Sequence, residues 1–142
     1  MTNKKTDWVE RSGFKLKVDI VTYPYVPPAG DALQPAPNQQ YLKLHVELAN
    51  VAGQGAFSMF DFDVRDDAND RIQASIVATD ALPKGVRLDL LSLKPGEKQT
   101  GEVVFVAPKG AKGLRLVFNG TLMNRDGNGV TSGPPPVVDL GV

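Results

Sequence analysis

Five carboxylates, Asp61, Asp63, Asp66, Asp67 and Asp70, crowd ten residues of this chain, and Asn69 adds an amide carbonyl among them. Clustered carboxylate and carbonyl oxygens are the donors that calcium accepts. The spacing departs from an EF-hand loop, which alternates acidic positions and then requires a glycine and a distal glutamate; Arg65 and Arg71 stand where ligands would be wanted. Two readings follow for Asp66, Asp67, Asn69 and Asp70 in the acidic 61–70 turn. They form a weak divalent-cation site, or they form a solvated turn in which Asp and Asn serve the backbone. His45 is the sole histidine, so any Ser-His-Asp chemistry would run through it. Such chemistry needs a hydroxyl within hydrogen-bond reach and a third group to orient the ring, and the sequence holds no nucleophile-elbow pattern. With no cysteine in the chain, disulfides, thiolate zinc sites, iron-sulfur clusters and cysteine nucleophiles are excluded. The expectation is a protein that is not an enzyme and that carries no cofactor unless calcium binds the acidic turn.

A third group of residues could serve recognition. Trp8, Tyr23, Tyr25 and Tyr41 flank a proline-rich segment, residues 24–40, and amphipathic rings beside stiff backbone are common at protein interfaces. The competing reading is that the same rings pack that loop onto the core.

The elements that would position these groups are strands. Leu42, Leu44, Val46 and Leu48 alternate with Lys43, His45, Glu47 and Ala49, which puts His45 on the face opposite the main core. Phe14, Leu16, Val18 and Ile20 alternate with Lys15, Lys17 and Asp19; Phe60, Phe62 and Val64 alternate with Asp61, Asp63 and Arg65. Ile72 to Val77 reads as the hairpin partner of the latter strand. Val103 and Phe105 oppose Glu102, Val104 and Val106, so that strand is expected to be covered on both faces. Leu114, Leu116 and Phe118 mark a further strand, and Val137 to Leu140 a closing edge strand. Lys94-Pro95-Gly96-Glu97 is a tight turn, with proline pre-setting the first central position and glycine supplying the positive φ of the second. Asn119-Gly120 signals a hairpin. Prolines 24, 27, 28, 35 and 37 bar the segment between the first two long strands from a central position. Seven to nine short strands, with no helical periodicity sustained over three turns, specify an all-β antiparallel sandwich. Residues 1–12 read as a flexible N-terminal leader anchored only by Trp8 and Val9, and residues 13–142 as a single domain.

The motifs Tyr41 to Asn50, Phe62 to Asp70, Leu93-Lys94-Pro95-Gly96-Glu97 with Gly101, Phe105 and Pro108, and Lys112 to Phe118 resemble those of the bacterial DUF4352 family. That resemblance implies an immunoglobulin-like sandwich of the telokin-like type found in the mycobacterial antigen MPT63. It also implies an exported or lipid-anchored setting and no established enzymatic activity. The chain departs from the family by lacking a lipobox cysteine and by placing Asn69-Asp70 where a glycine commonly closes the turn.

Charge bounds the partners. Sixteen basic residues balance sixteen acidic ones across 142 positions, so no overall field attracts a polyanion and nucleic acid is not an expected partner. Locally, residues 1–17 carry five basic and two acidic side chains, a patch that could steer a partner. Thr6 to Arg11 supply charge where a signal peptide needs an apolar stretch, and no apolar run approaches the ~20 residues of a transmembrane helix. The protein is expected outside the cytoplasm if the sequence is trimmed from a secreted precursor, and in the cytoplasm if Met1 is the native start. Its expected role is a non-catalytic binding or structural module, with a protein or envelope component as partner and a homodimer through edge strands as a further possibility.

Overall fold

A computed structural model describes residues 3–11, 13–27, 34–51, 62–82, 86–87, 94–118 and 136–142. The expectations for Phe60, Asp61, the Asn119-Gly120 hairpin and part of the proline-rich segment fall outside these residues. Among the described residues, nine strands and one short helix follow in the order β1 (Asn3–Lys4), β2 (Trp8–Arg11), β3 (Phe14–Tyr25), β4 (Gln39–Asn50), β5 (Phe62–Arg65), β6 (Arg71–Ala74), α1 (Ile76–Asp80), β7 (Lys98–Pro108), β8 (Arg115–Phe118) and β9 (Val137–Asp139). The strands hydrogen-bond in the order β1-β9-β8-β5-β6-β7-β4-β3-β2. Every pairing is antiparallel except β1 with β9.

The ribbon folds into two layers because β6 divides its pairing. Arg71 and Ile72 pair with β5 in one sheet, whereas Gln73 and Ala74 pair with β7 in the other. The opposite corner is spanned by the N-terminal segment. β1 joins β9 in the first sheet and β2 joins β3 in the second, so the expected leader is in large part strand. The turn between them is held by Asp7, whose amide donates to Lys4 O (3.0 Å) and whose carboxylate accepts from Lys4 N (2.9 Å). Val9 is drawn into the core, 5% exposed, and that burial is what orders the segment. β9, expected at an edge, lies inside the first sheet between β8 and β1.

The core fills the gap between the layers. Leu42, Leu44, Val46 and Leu48 of β4 are fully buried, as are Phe14, Leu16 and Val18 of β3 and Val103 of β7. Opposite them stand Val64, Leu116, Phe118 and Val138 from the other sheet. Each large apolar side chain so enclosed contributes about 1.5–3 kcal/mol relative to exposure. β4 and β7 pair without interruption from Gln39↔Pro108 to Ala49↔Lys98. β3 does not pair so regularly: its register against β4 shifts between Val18 and Ile20. That bulge places one more residue on β3 than on β4 and reverses the alternation beyond it. Ile20, expected inward, is 57% exposed, while Val21 packs against the core instead. A second shift lies between Thr22 and Tyr25, and Pro24 sits within it, where a missing amide proton removes no ladder bond.

The segment expected to extend β6 as far as Val77 turns into a helix. Ser75 caps α1 by accepting from Ala78 N (3.1 Å), and the helix lies over the outer face of the second sheet with Ala78 and Thr79 buried. It also completes the hydrogen bonding of β7. Ser75 N donates to Val104 O (2.8 Å), and Val104 N donates to Thr79 Oγ1 (3.0 Å). One step further, Glu102 N donates to Val86 O (2.8 Å). Val104 is thereby covered on its outer side together with Tyr41 and Leu82, as the two-sided pattern of β7 implies. Because Thr79 is fully buried and its hydroxyl serves a buried amide, Thr79→Val is expected to destabilise the fold by about 1–3 kcal/mol. Thr79→Ser should recover most of that loss; urea unfolding of the three proteins makes the comparison.

Candidate functional site

Strand alternation sends Lys17, Lys43, His45, Glu47 and Glu102 to the outer face of the second sheet, and the β3 bulge adds Asp19. These charges pair with one another. Lys17 Nζ lies 3.4 Å from Asp19 Oδ1 and 3.7 Å from Glu47 Oε1, and Lys43 Nζ lies 3.5 Å from Glu102 Oε1. His45 Nδ1 stands 3.5 Å from Asp19 Oδ2 and makes no hydrogen bond among the described residues. A carboxylate thus faces the imidazole without a hydroxyl nucleophile bonded to it, and nothing in the arrangement indicates catalysis. Partly exposed pairs of this kind contribute about 0–1 kcal/mol each. They leave the face ordered and close to neutral.

The acidic turn is organised by its own backbone. Asp66 Oδ1 accepts from Ala68 N (3.0 Å) and Asp70 N (2.8 Å), the short-range pattern for which Asp is favoured in turns. Asn69 takes the left-handed conformation, φ 66°, which Asn tolerates better than most residues. Arg115 Nη2 donates to Asp66 O (3.1 Å) and to Asn69 Oδ1 (3.1 Å), and Arg65 Nη1 donates to Asn69 O (3.2 Å). Asp63 pairs with Arg71 at 3.1 Å. Among the described residues no three acidic or histidine side chains converge on one point. Asp67 N donates to Lys112 O (3.0 Å), and Gly113 presses against Asp67 so closely that an added Cβ would stand 2.8 Å from the Asp67 Cβ.

The four aromatic candidates do not gather. Tyr23 points inward against the core and donates through its hydroxyl to Ala111 O (2.7 Å). Tyr41 is buried beneath α1, and Tyr25 tilts over it with ring centroids 6.5 Å apart and Lys43 Nζ 4.6 Å above its own ring. These three pack the fold. Trp8 is different. It pairs in register with Lys17, near the opposite end of β3 from Tyr25, remains 39% exposed, and carries Lys17 Nζ 5.1 Å from its ring centroid. Beside it opens a cleft of about 370 Å³, lined by Trp8, Lys15, Ala49, Asn50, Val51, Gly96 and Lys98. Its floor is set by the register of three strands, since Ala49 stands between Lys15 on β3 and Lys98 on β7. The expected Pro-Gly turn forms its rim: Glu97 N donates to Lys94 O (2.9 Å), Gly96 has φ 90°, and Gly96 N donates to Asn50 O (2.7 Å). The sequence reading reached Trp8 but not the cleft. Lys15 and Lys98 meet only through the pairing of β3 and β7 with β4.

Two sheets, antiparallel but for the β1–β9 pair and joined at both corners, with a paired outer face and a small cleft, define an immunoglobulin-like β-sandwich protein. The chain belongs to the DUF4352 family, a domain of unknown function, whose profile matches residues 9–128. Among solved structures it is similar to the YjhA protein of Bacillus subtilis, at 22% identity and a TM-score of 0.70, covering 98% of this chain and 99% of that one. The secreted protein MPT63 of Mycobacterium tuberculosis matches at 14% identity and a TM-score of 0.56 over 87% of this chain and 92% of its own. YcdA of Bacillus subtilis, described as a candidate lipoprotein, matches at 15% identity and a TM-score of 0.58, covering 97% of this chain but 39% of that protein. At these identities the likeness establishes the shared fold. No curated protein sequence matches the chain.

Gly113 offers a direct check on the turn. Gly113→Ala is expected to lower stability by about 1–3 kcal/mol, because alanine at φ 64° is strained and its methyl displaces Asp67. Chemical unfolding measures it.

Proposed function

We propose that the protein is a non-catalytic binding module that works outside the cytoplasm, with the cleft beside Trp8 as its recognition site and an envelope or secreted component as its partner. The cleft carries this reading. It joins an exposed indole, a small-residue floor and unburied lysines on a rigid sheet, and its volume lies toward the lower end of the range typical of ligand pockets. The setting is supported by the secreted MPT63 and by YcdA, within which a domain of this kind occupies part of a longer chain. No helix among the described residues is long and apolar enough to cross a membrane.

A weak calcium module built on Asp66, Asp67, Asn69 and Asp70 has less support. The turn's inward oxygens are engaged by amides and by Arg65 and Arg115, so a cation would have to displace cationic side chains. A homodimer through sheet edges is likewise disfavoured, since the edge strands β1 and β2 are two and four residues long.

Two measurements test the reading. In a fragment screen followed by amide chemical shifts, hits are expected to move Trp8, Lys15, Val51, Gly96 and Lys98 together; hits clustering elsewhere, or none, would remove the cleft as the site. Calcium at about 5 mM, above the roughly 10⁻⁴–10⁻³ M range of extracellular modules, is expected to leave the melting temperature unchanged. A rise abolished by Asp66→Ala with Asp67→Ala would restore the cation reading.

A further inference from the structure

The charges around the cleft divide into those already matched and those that are not. Lys17 is matched by Asp19 and Glu47, and Lys43 by Glu102. Among the described residues, Lys15 and Lys98 form no ion pair. They flank Ala49 from strands on either side of β4, which places their backbones about 10 Å apart across the sheet. Ala49 between them is only 8% exposed, yet its methyl side chain rises little above the floor. The nearest opposing charge in register is Glu10, which faces Lys15 from β2 and is exposed to solvent. Glu97 is not among the lining residues, and its carboxylate accepts from Lys94 N. The cleft is therefore lined by two lysines and a tryptophan, with no acidic side chain among its lining residues.

Such a pairing selects ligands by chemistry. The ammonium groups favour an anion, and their attraction is partly sheltered where the cleft excludes water. The indole favours a flat or apolar body, and one aromatic contact of this kind adds about 0.5–1.5 kcal/mol beyond area burial. From this we propose that the cleft binds a small organic anion, a ring carrying a carboxylate or phosphate, with the ring against Trp8 and the anionic group between Lys15 and Lys98. The proposal rests on the binding-module reading above and names the ligand class it serves. It also gives a role to the basic excess of residues 1–17, of which Lys15 is a member.

Trp8 is the sole tryptophan, so its emission reports the cleft directly in the intact protein. Phenyl phosphate and benzoate serve as anionic probes, benzamide as the neutral isostere of benzoate, and inorganic phosphate as the anion without a ring. The two ring anions are expected to change the emission saturably with Kd near or below about 1 mM, with benzamide and inorganic phosphate at least tenfold weaker. Lys15→Ala with Lys98→Ala should weaken the ring anions by a further tenfold, and the paired Arg variant should retain them. Raising ionic strength to about 1 M, where screening acts over about 3 Å, should weaken them as well. Thermal melts of each variant establish that it is folded. Equal binding of benzamide and benzoate would overturn the anion assignment while leaving the cleft a binding site. Unchanged affinity in the folded double alanine variant would overturn it too. If neither ring anion binds, and the fragment screen also leaves the cleft silent, both readings fall together.

Discussion

Leu42, Leu44, Val46 and Leu48 project from one side of β4, and the rest of the molecule is arranged around their removal from water. β4 is paired along its length by β3 and β7, so its inward face becomes the centre of a layer that the second sheet must cover. The covering sheet is made of shorter strands, four residues each in β5 and β8 and three in β9. Short strands suffice there because their side chains need only seal a face that the long strands have laid out. The two corners then follow from backbone accounting. β6 hands its hydrogen bonds from one sheet to the other, and the N-terminal segment does the same in the opposite direction, leaving two short edges to solvent.

The outer face of the long-stranded sheet is divided among three uses. At one end α1 covers Tyr41 and Val104 and turns the sheet surface into a second small core. Across the middle, the pairs involving Lys17, Asp19, His45, Glu47, Lys43 and Glu102 close on themselves. At the far end the pairing stops, and Trp8, Lys15 and Lys98 surround a cleft. The same alternation that makes the core thus leaves a graded surface. It is covered where the helix lies, neutralised in the centre, and open where lysines lack partners among the described residues.

Much of this architecture was legible in the residues. The eight-residue alternation from Leu42 to Ala49 is long enough to settle the faces of β4, and the Pro95-Gly96 turn announces itself because positive φ at its second position calls for glycine. What was not legible depends on contacts distant in sequence. The reversal at Ile20 arises because β3 carries one residue more than β4 can match, and no periodicity within β3 alone reveals a partner's count. α1 is a single short turn of five residues, too brief for a helical pattern, although Ser75 before it is a capping residue. β1 is a strand only because β9 runs beside it. Of the candidate site residues, the acidic turn carries two readings in the sequence, a cation site and a solvated turn, because Asp and Asn suit both; only the folded chain shows Asp66 Oδ1 bonded to the amides of Ala68 and Asp70. Trp8 was grouped with three tyrosines that in fact pack elsewhere, since composition cannot distinguish a ring beneath a helix from one beside a cleft.

The parallel pairing of β1 with β9 joins residues 3–4 to residues 138–139, near the two ends of the chain. During synthesis the early strands β3 and β4 can meet while the polypeptide is still growing, but this seam has no counterpart to close upon until β9 has left the ribosome. The newborn sandwich therefore passes through an interval in which both β8 and β1 present unmatched backbone. Until β9 arrives, the first sheet stays open along the edge of β8 that this strand goes on to cover.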